Sequence, residues 1–354
     1  MDAIKIKSNL YDYEVDFVED FSVTLKSFDS KVLLIIDRKV HTLYAEKFIG
    51  VDSDKIFFMD ADEHKKNMTT VMEIVSFMQD IGLKKDWKVI CFGGGITQDV
   101  TTLAANLFLR NVDWYFFPTT LLSMCDSCIG GKCGINFRNV KNQIGVFYPP
   151  KRIFIDVNFL NTLTEEDYIN GWGELLKFSL TSDPKFYEKL KSEGKYIPCQ
   201  SIAEYIHRGL LEKKKIIEAD EFESDLRRVL NYGHTFGHAL EAYTNNKIPH
   251  GKGVIWGIDV ANFFAFKEGL LSKEIYLDIK SLIRKNFIVE EIVIEQPEKL
   301  FELIKTDKKF KNGQLSFALL DNPSHLIIHP MKLNDSTNKL FEEYLRDTNE
   351  FYNA

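Results

Sequence analysis

The sequence has few cysteines, no long apolar run and no basic block, and each absence excludes a class of protein. Five cysteines in 354 residues is a small and odd number, which argues against the paired disulfide framework of small secreted proteins. No run approaches the roughly 18 apolar residues that a membrane span requires. The N-terminal segment MDAIKIKSNLYDYEVD is charged throughout and lacks the apolar region of a signal peptide. Together these features predict a cytoplasmic location.

The charge of the chain disfavours a nucleic acid as its partner. The sequence has 45 Lys and Arg residues against 52 Asp and Glu residues, a formal net charge of −7, and no basic tail. Its most basic stretch, EKKKIIEADE, turns acidic at once and is typical of a solvated helix face. We therefore expect a small-molecule partner and neither nucleic acid nor membrane.

Short apolar runs that alternate with helical patterns predict an α/β domain in the first half. The candidate strands are rich in β-branched or aromatic residues, and they cover residues 31–37, 55–60, 88–94, 112–118 and 152–157. Between the second and third candidates, apolar residues at 71, 74, 75, 78 and 81 keep the helical period. Strands separated by helices predict βαβ units and a mostly parallel sheet.

A change of character near residues 157–162 predicts a second, helical domain. A chain of 354 residues exceeds the size at which one hydrophobic core keeps growing. Thr164, followed by three acidic residues, is typical of a helix N-cap, and nearly every segment from there to about residue 310 has a helical pattern. The last forty residues suggest a small β element and a closing helix. We predict an α/β domain over 1–160 and a helical domain over 161–354.

A cluster of histidines predicts a metal site. His234 and His238 lie four residues apart in LRRVLNYGHTFGHALE, so both fall on one helix face. His250 follows in KIPHGKG, and Glu174 lies upstream in GWGELLKF. One Glu with two His is the ligand set of a catalytic zinc that keeps a fourth position open. The HxxxH spacing lacks the Glu of a metallopeptidase HExxH helix, and it leaves open which two of the three histidines bind metal.

Basic and amide side chains lie near these candidate ligands in sequence. Arg227, Asn231 and Lys213 are suited to an anionic substrate that carries carboxylate or phosphate. The alternative for Arg227 is a surface helix arginine, a role that also suits Arg228 beside it. A chain that supplies a metal site and anion-binding groups together is predicted to be an enzyme.

Two loops have the composition of phosphate-binding segments. Gly93, Gly94 and Gly95 follow the strand KVICF and precede a helical pattern, so backbone N–H groups could approach a pyrophosphate. A tight turn without ligand is the alternative, and Asp99 suits the helix dipole in either case. A second loop suits phosphate, with a plain surface loop as the alternative. Its residues are Thr119, Thr120, Asp126, Gly130, Gly131, Lys132, Lys141 and Asn142.

Cys125 and Cys128 form a CxxC motif that could indicate zinc or redox chemistry. No second CxxC completes a four-cysteine zinc site, and Cys133 does not supply one. We therefore interpret these cysteines as small buried hydrophobic residues.

Several long motifs occur in one order along the chain and resemble those of a known family. The motifs are GGGITQD, FLRNVD, PTTLL, DSCIGGKCGINFRNVKNQIGVFYPP, GWGELLKF, EADEFESDLRRVLNYGHTFGHALE and HGKG. Together they resemble the 3-dehydroquinate synthases and related sugar-phosphate cyclases. The resemblance extends from about Asp37 to His250, with a weaker echo at 307–313. Gln98 stands where the family usually has glycine, which suggests a divergent member.

The resemblance implies a fold and two cofactors. It implies an N-terminal Rossmann-like domain with a mostly parallel sheet, a C-terminal helical metal-binding domain, and an active site between them. Glu174, His234 and His250 would hold zinc or cobalt. The NAD contacts would be Asp37, Glu63, Lys66, Gly94, Gly95, Asp99, Thr119, Thr120, Lys141, Phe159 and Thr162.

The resemblance also assigns substrate contacts. The hydroxyls would be held by Asp126, Asn170 and Lys177, the carboxylate by Lys213 and Arg227, and the phosphate by Lys132, Asn142, Asn231, His238 and Lys308 or Lys309. Glu223 and His238 match proton-acceptor positions, and we count them with Lys177 and Asp126 as catalytic residues. Arg110 would reach the phosphate from a neighbouring subunit, which implies a homodimer.

The implied activity converts 3-deoxy-arabino-heptulosonate 7-phosphate to 3-dehydroquinate and phosphate. NAD would oxidise a ring hydroxyl, phosphate would leave by elimination, the ketone would be reduced back, and an aldol step would close the carbocycle. Lys213 and Arg227 favour a substrate with a carboxylate, since without one two cations would face each other unpaired. The alternatives are a sibling cyclase, a metal-dependent polyol dehydrogenase, and a non-catalytic descendant. The siblings make 2-epi-5-epi-valiolone from sedoheptulose 7-phosphate or 2-deoxy-scyllo-inosose from glucose 6-phosphate, and the GGK motif with Asn231 and His238 disfavours the second.

Overall fold

A seven-stranded sheet forms the centre of the first half of the chain. The computed structural model describes all residues except 139, 195, 196, 198, 246, 287–291, 293, 306–309, 311, 353 and 354. The side chains of 199, 200 and 347–352 are likewise outside the described part. The strands are β1 (Ile4–Ile6), β2 (Tyr13–Phe17), β3 (Val32–Asp37), β4 (Ile56–Met59), β5 (Lys88–Gly93), β6 (Trp114–Pro118), β7 (Ile135–Phe137), β8 (Val140–Ile144), β9 (Arg152–Ile155), β10 (Gln314–Asn322) and β11 (His325–Lys332).

The order of strands in the main sheet is β1-β2-β9-β6-β5-β3-β4. Only β1 and β2 pair antiparallel, and every other neighbouring pair is parallel. The five strands predicted from the sequence are β3, β4, β5, β6 and β9, which form the parallel part. Leu33 to Ile36 have no exposed surface. Because both faces of this parallel sheet are covered, the strand is a continuous apolar run. The predicted α/β fold with a mostly parallel sheet is confirmed.

Helices cover most of the remaining chain. They are α1 (Phe21–Lys26), α2 (Arg38–Leu43), α3 (Met68–Asp80), α4 (Gly95–Leu107), α5 (Glu165–Leu180), α6 (Pro184–Glu193), α7 (Cys199–Ala219), α8 (His234–Tyr243), α9 (His250–Lys267), α10 (Lys273–Asn286), α11 (Pro297–Lys305) and α12 (Asp335–Tyr352). Val71, Ile74 and Met78 of α3 are fully buried, as the helical period predicts. Thr164 caps α5 as predicted, with its Oγ1 accepting a hydrogen bond of 3.1 Å from the Asp167 N–H. Within the described residues, we find no helix with both the length and the apolar character to span a membrane.

The chain forms two compact units that interleave along the sequence. The first contains Met1–Gly171 and Pro198–Phe222, and the second contains Trp172–Ile197 and Glu223–Ala354. Helix α7 belongs to the first unit, and it buries Ile202, Ile206 and Leu210 on one face. The sequence predicted two domains divided at one point of the chain, 1–160 and 161–354, and these limits stay a prediction.

The second unit is built around two adjoining helices and a small sheet. Helices α8 and α9 pack against each other, and β10 pairs antiparallel with β11 before the closing helix α12. The small β element and closing helix expected from the last forty residues are therefore present.

Candidate active site

Three helices bring together Glu174, His234 and His250, which all belong to the second unit. Glu174 lies on α5, whereas His234 and His250 are the first residues of α8 and α9. The Nε2 atoms of His234 and His250 lie 3.3 Å and 3.4 Å from the Glu174 Oε1 atom. Two ligand atoms of a tetrahedral zinc with bonds of about 2.0–2.2 Å lie about 3.4 Å apart. The three groups therefore have the mutual spacing that a metal ion requires.

Glycines allow the three helices to approach this closely. Gly233 precedes α8 with a φ of +78°, a conformation that few other residues adopt without strain. A Cβ atom at Gly257 of α9 would lie 1.9 Å from the Gly233 carbonyl oxygen, and one at Gly173 of α5 would lie 2.6 Å from the Gly251 oxygen. Helices α5 and α8 thus pack on α9 backbone to backbone, which places their functional side chains side by side.

Burial and charge at Glu174 also suit a metal ligand. The side chain is completely buried, and its carboxylate contacts the Lys177 ammonium and faces both imidazoles. Burial by itself raises the pKa of Glu174, but the contacting Lys177 ammonium and the His234 ring outweigh it and hold the pKa well below its usual value. A buried anionic carboxylate beside two imidazoles is typical of a cation site.

The far nitrogen of each imidazole has its own partner. The Nδ1 atom of His234 lies 3.1 Å from the Tyr232 carbonyl oxygen, and the Nδ1 atom of His250 lies 2.8 Å from the Glu241 Oε1 atom. Burial lowers the pKa of His250, whereas its hydrogen bonds to Glu174 and Glu241 raise it to a net value of about 10. Sequence reasoning missed Glu241, although its position seven residues after His234 places it on the same face of α8.

His238, Glu241 and His250 form a second group of metal-ligating residue types. The contact of 2.8 Å between His250 and Glu241 is a hydrogen-bond distance and is shorter than the edge of a metal tetrahedron. The spacing therefore favours Glu174, His234 and His250 over the second group. The exposed His238 ring lies 5.4 Å from the His234 ring and 5.7 Å from the His250 ring, measured between centroids.

Other candidate residues of the second unit lie on the segment before α8. Arg227 is 5% exposed, so its interpretation as a surface helix arginine is wrong. Arg228 beside it is exposed and donates to the Ser224 carbonyl. The Asn231 amide donates to the Glu223 carboxylate at 3.2 Å, which links two residues predicted to contact substrate. Glu223 has a φ of +59°, a strained conformation for a residue with a side chain.

In the first unit, Lys213 and Asp126 form a partly buried ion pair. Asp126 lies in a short π-helical turn, Ser123–Ser127, and Lys213 lies on α7. The Lys213 Nζ atom is 2.9 Å from Asp126 Oδ1 and donates to the Asp126 carbonyl at 2.6 Å. The sequence argument that Lys213 lacks a counter-charge without a substrate carboxylate is therefore wrong. The contact does bring together two residues predicted to bind the same substrate.

A polar network joins several predicted NAD and phosphate contacts of the first unit. The Lys66 Nζ atom lies 2.6 Å from Asp99 Oδ2 and donates to Asn142 Oδ1 at 2.8 Å. Asn136, which sequence reasoning missed, donates its side-chain amide to Glu63 at 2.8 Å and accepts from the Asn142 N–H at 3.0 Å. Burial raises the pKa of Asp99, against the opposing effect of Lys66.

The β5–α4 junction has the strand–glycine–helix form that the sequence predicted. Gly94 is the N-cap of α4, and a Cβ atom there would lie 2.9 Å from the Thr120 side chain. Gln98, at the position where the family usually has glycine, is buried and exchanges hydrogen bonds of 2.7 Å and 2.6 Å with Ser127. Close packing against side chains thus accounts for Gly93 and Gly94, which is compatible with both interpretations of the turn.

Most of the remaining predicted residues are dispersed over the first unit, which includes Asn170 on α5, whereas Lys177 on the same helix belongs to the second unit. Asp37 ends β3, and Lys39 N–H donates to its carboxylate at 2.9 Å. Burial raises the pKa of Asp37.

Lys132 and Lys141 lie on the loop and strand around β7 and β8, and Arg110 is exposed after α4 with a φ of +55°. Others are Gly95 at the start of α4, Thr119 and Thr120 after β6, Phe159, which stacks on Phe21, and Thr162, which bonds Tyr44. Lys308 and Lys309 lie outside the described residues.

The fold and site are typical of a class of enzymes that use a metal ion and a nucleotide cofactor. Each consists of an α/β part followed by a helical part. A structure of 2-deoxy-scyllo-inosose synthase, solved with carbaglucose-6-phosphate, NAD+ and Co2+, superposes with a TM-score of 0.86 at 21% identity, covering 98% of this chain and 99% of that one. The 2-epi-5-epi-valiolone synthase from Streptomyces hygroscopicus, solved with NAD+ and Zn2+, superposes with a TM-score of 0.84 at 27% identity over 99% of both chains.

Family and sequence comparisons are more specific. The family models for the N-terminal and C-terminal parts of 3-dehydroquinate synthase match residues 56–170 and 171–310. The 3-dehydroquinate synthase of Campylobacter concisus is 32% identical, covering 92% of this chain and 94% of that protein. The 3-dehydroquinate synthase of Pelagibacter ubique is 33% identical, covering 96% and 94%. The chain belongs to the 3-dehydroquinate synthase family.

Proposed function

We propose that this chain converts 3-deoxy-arabino-heptulosonate 7-phosphate to 3-dehydroquinate and phosphate, with NAD and a divalent metal as cofactors. The observation that carries the proposal is the buried Glu174–His234–His250 group, in a chain that the family models match over residues 56–310. The reaction is that of a carbon–oxygen lyase and belongs to the shikimate pathway, which leads to the aromatic amino acids.

Glu174, His234 and His250 are the proposed metal ligands. Zinc or cobalt bound there supplies Lewis-acid activation of a substrate hydroxyl at the open coordination position. Lys177 keeps Glu174 in the ionised form that a ligand requires. Asp126, Asn170 and Lys177 are proposed to hold the hydroxyls of the substrate.

NAD is proposed to bind at the carboxyl ends of β3, β5 and β6. These strands are neighbours in the sheet, and ligands of parallel sheets bind at that edge. Bound NAD supplies transient oxidation of one hydroxyl. The proposed contacts are Asp37, Glu63, Lys66, Gly94, Gly95, Asp99, Thr119, Thr120, Lys141, Phe159 and Thr162.

Cationic and amide groups are proposed to hold the two acidic ends of the substrate. Arg227 and Lys213 are assigned to the carboxylate, and the phosphate contacts are Lys132, Asn142, Asn231, His238 and Lys308. Glu223 and His238 are assigned as proton acceptors. The carboxylate of Glu223 is oriented by its hydrogen bond from Asn231, and the exposed ring of His238 can exchange a proton with a substrate phosphate oxygen.

A homodimer in the cytoplasm completes the proposal. Arg110 is exposed beyond α4, so it is available to reach the phosphate bound by a neighbouring subunit. The cytoplasmic location rests on the sequence features alone.

One alternative has a specific observation in its favour. The 2-epi-5-epi-valiolone synthase superposes over 99% of both chains at 27% identity. Identities of 32% and 33% to 3-dehydroquinate synthases favour the keto-acid substrate. A glycerol dehydrogenase structure, at 13% identity and a TM-score of 0.57, indicates a shared fold alone.

Phosphate release tests the proposal. The metal-loaded protein with catalytic NAD should release phosphate from 3-deoxy-arabino-heptulosonate 7-phosphate and not from sedoheptulose 7-phosphate, and EDTA should abolish the release. We expect Arg227→Ala to lower kcat/KM by about 100-fold, because it removes a buried, charge-assisted contact to the carboxylate. Arg228→Ala, the exposed neighbour, is the matched control and should stay within about twofold of the parent.

Three results would contradict this assignment. Release from sedoheptulose 7-phosphate alone would make the chain a valiolone-type cyclase. Stoichiometric accumulation of NADH would indicate a dehydrogenase. Equal activity of Arg227→Ala and the parent on the keto acid would remove Arg227 from the carboxylate site.

A further inference from the structure

Glu241 is a buried carboxylate that has no role in the proposed reaction. It lies on α8, its residue is 6% exposed, and its Oε1 atom is 2.8 Å from the His250 Nδ1 atom. Burying a carboxylate is unfavourable unless a partner compensates it. The contact therefore calls for an explanation at the metal centre.

The ring of His250 is held from both sides. Its Nε2 atom faces Glu174 at 3.4 Å, and its Nδ1 atom faces Glu241. A carboxylate only accepts hydrogen bonds, so Nδ1 keeps its proton against Glu241, which leaves Nε2 as the nitrogen that a metal ion would bind. Glu241 thereby selects the tautomer that can bind a metal together with Glu174 and His234.

The two imidazoles are oriented by different means. The Nδ1 atom of His234 meets the backbone carbonyl of Tyr232 at 3.1 Å, an arrangement that no side-chain substitution removes directly. His250 instead depends on one side chain from another helix. A Cβ atom at Gly253 on α9 would lie 3.5 Å from the Glu241 Oε1 atom, an ordinary van der Waals contact, so α9 passes directly beside this carboxylate.

We propose that Glu241 is a positioning residue for the metal centre, which holds the His250 ring with Nε2 directed at the ion and so raises metal affinity. This inference rests on the metal site of the proposed function, but not on the identity of the substrate. Glu241 is not itself assigned as a ligand, because its distance to His250 is that of a hydrogen bond.

Metal affinity of the full-length protein, measured without substrate, tests the inference. Zn2+ and Co2+ would be titrated in competition with a chromophoric chelator. Loss of such an outer carboxylate typically weakens metal binding about 10- to 100-fold, and we expect this for Glu241→Ala. Glu241→Gln should lose far less, because its amide oxygen still accepts from Nδ1–H. Glu221→Gln, at another buried glutamate that lies in the first unit, should bind metal as the parent does.

A second measurement keeps the inference testable if Glu241→Ala fails to fold. The 15N chemical shifts of the His250 ring in the metal-loaded parent should show a protonated Nδ1 and a metal-bound Nε2. Parent-like metal affinity in Glu241→Ala, a metal bound to Nδ1, or a second metal ion per chain that depends on Glu241 would each overturn it. Failure of phosphate release with intact metal binding would instead count against the proposed function alone.

Discussion

Burial controls the chemistry of the cysteine side chains. Cys91, Cys125, Cys128 and Cys133 are all buried and form no disulfide. Burial is the main cause that raises the pKa of the Cys91, Cys128 and Cys133 thiols to about 12 each. The interpretation of the CxxC motif as small hydrophobic residues is thus favoured over redox or zinc chemistry, because the thiolate is the reactive form.

Thiol labelling checks this at the residue scale. With Ellman's reagent at pH 8, we expect none of these four cysteines to react in the native protein, and all five cysteines of the chain to react after unfolding in guanidinium. Rapid native labelling of more than one thiol would contradict the burial of these four cysteines. Labelling of Cys199, whose side chain lies outside the described residues, would not.

The metal group shows which parts of a site can be predicted from residue patterns and which cannot. Glu174 and the histidines were predicted as a ligand set from residue type and order, while spacing could not choose among His234, His238 and His250. The choice depends on distances of 3.3 and 3.4 Å that arise only when three helices pack together. Glu241 was missed for the same reason, since its partner is on another helix.

At the scale of elements, the approach of α8 to α9 depends on glycines at specific positions. The tightest is Gly257, where an added Cβ would lie 1.9 Å from the Gly233 backbone oxygen, an atom that cannot rotate away. Gly253 is less restricted, with 3.2 Å to the Gly237 oxygen. Since these helices carry His234 and His250, their separation sets the geometry of the metal group.

We expect Gly257→Ala to separate α8 from α9. The substitution should lower the free energy of unfolding by more than about 3 kcal/mol, because overpacking against backbone exceeds the usual cost of an added methyl group. Metal binding should fall in parallel. Gly253→Ala on the same helix is the control and should stay within about 1 kcal/mol of the parent, since its contact is milder and alanine favours a helix. Urea unfolding monitored by circular dichroism would measure both, and equal losses would contradict the packing argument.

At the scale of the whole molecule, the proposed homodimer makes a prediction about mixed subunits. If Arg110 acts in the neighbouring subunit, Arg110→Ala and Glu174→Ala proteins should each have little activity alone. Refolding them together should restore about a quarter of the parent activity, because half of the dimers are mixed and each has one complete site. Phosphate release before and after co-refolding measures this.

The control for this experiment places Arg110→Ala and Glu174→Ala in the same chain. A double variant carrying both substitutions, refolded with itself, should remain inactive. Absence of rescue in the mixed sample, with dimers verified by light scattering, would show that Arg110 acts within its own subunit or has no role. A monomeric parent would refute the dimer itself.

The sequence by itself determined the elements and the kinds of chemistry. Continuous apolar runs defined β3 to β6 and β9, and the 3.6-residue period defined α3, because burial on both faces of a parallel sheet and on one face of a helix leaves these patterns locally. The motif order indicated the family. Only the tertiary structure decided which side chains meet: Glu174 with two imidazoles, Glu241 with His250, Asp126 with Lys213, and Asn136 with Glu63. It also decided that α7 belongs with the first unit. Such pairings join residues far apart along the chain, and they depend on packing distances that no local pattern contains.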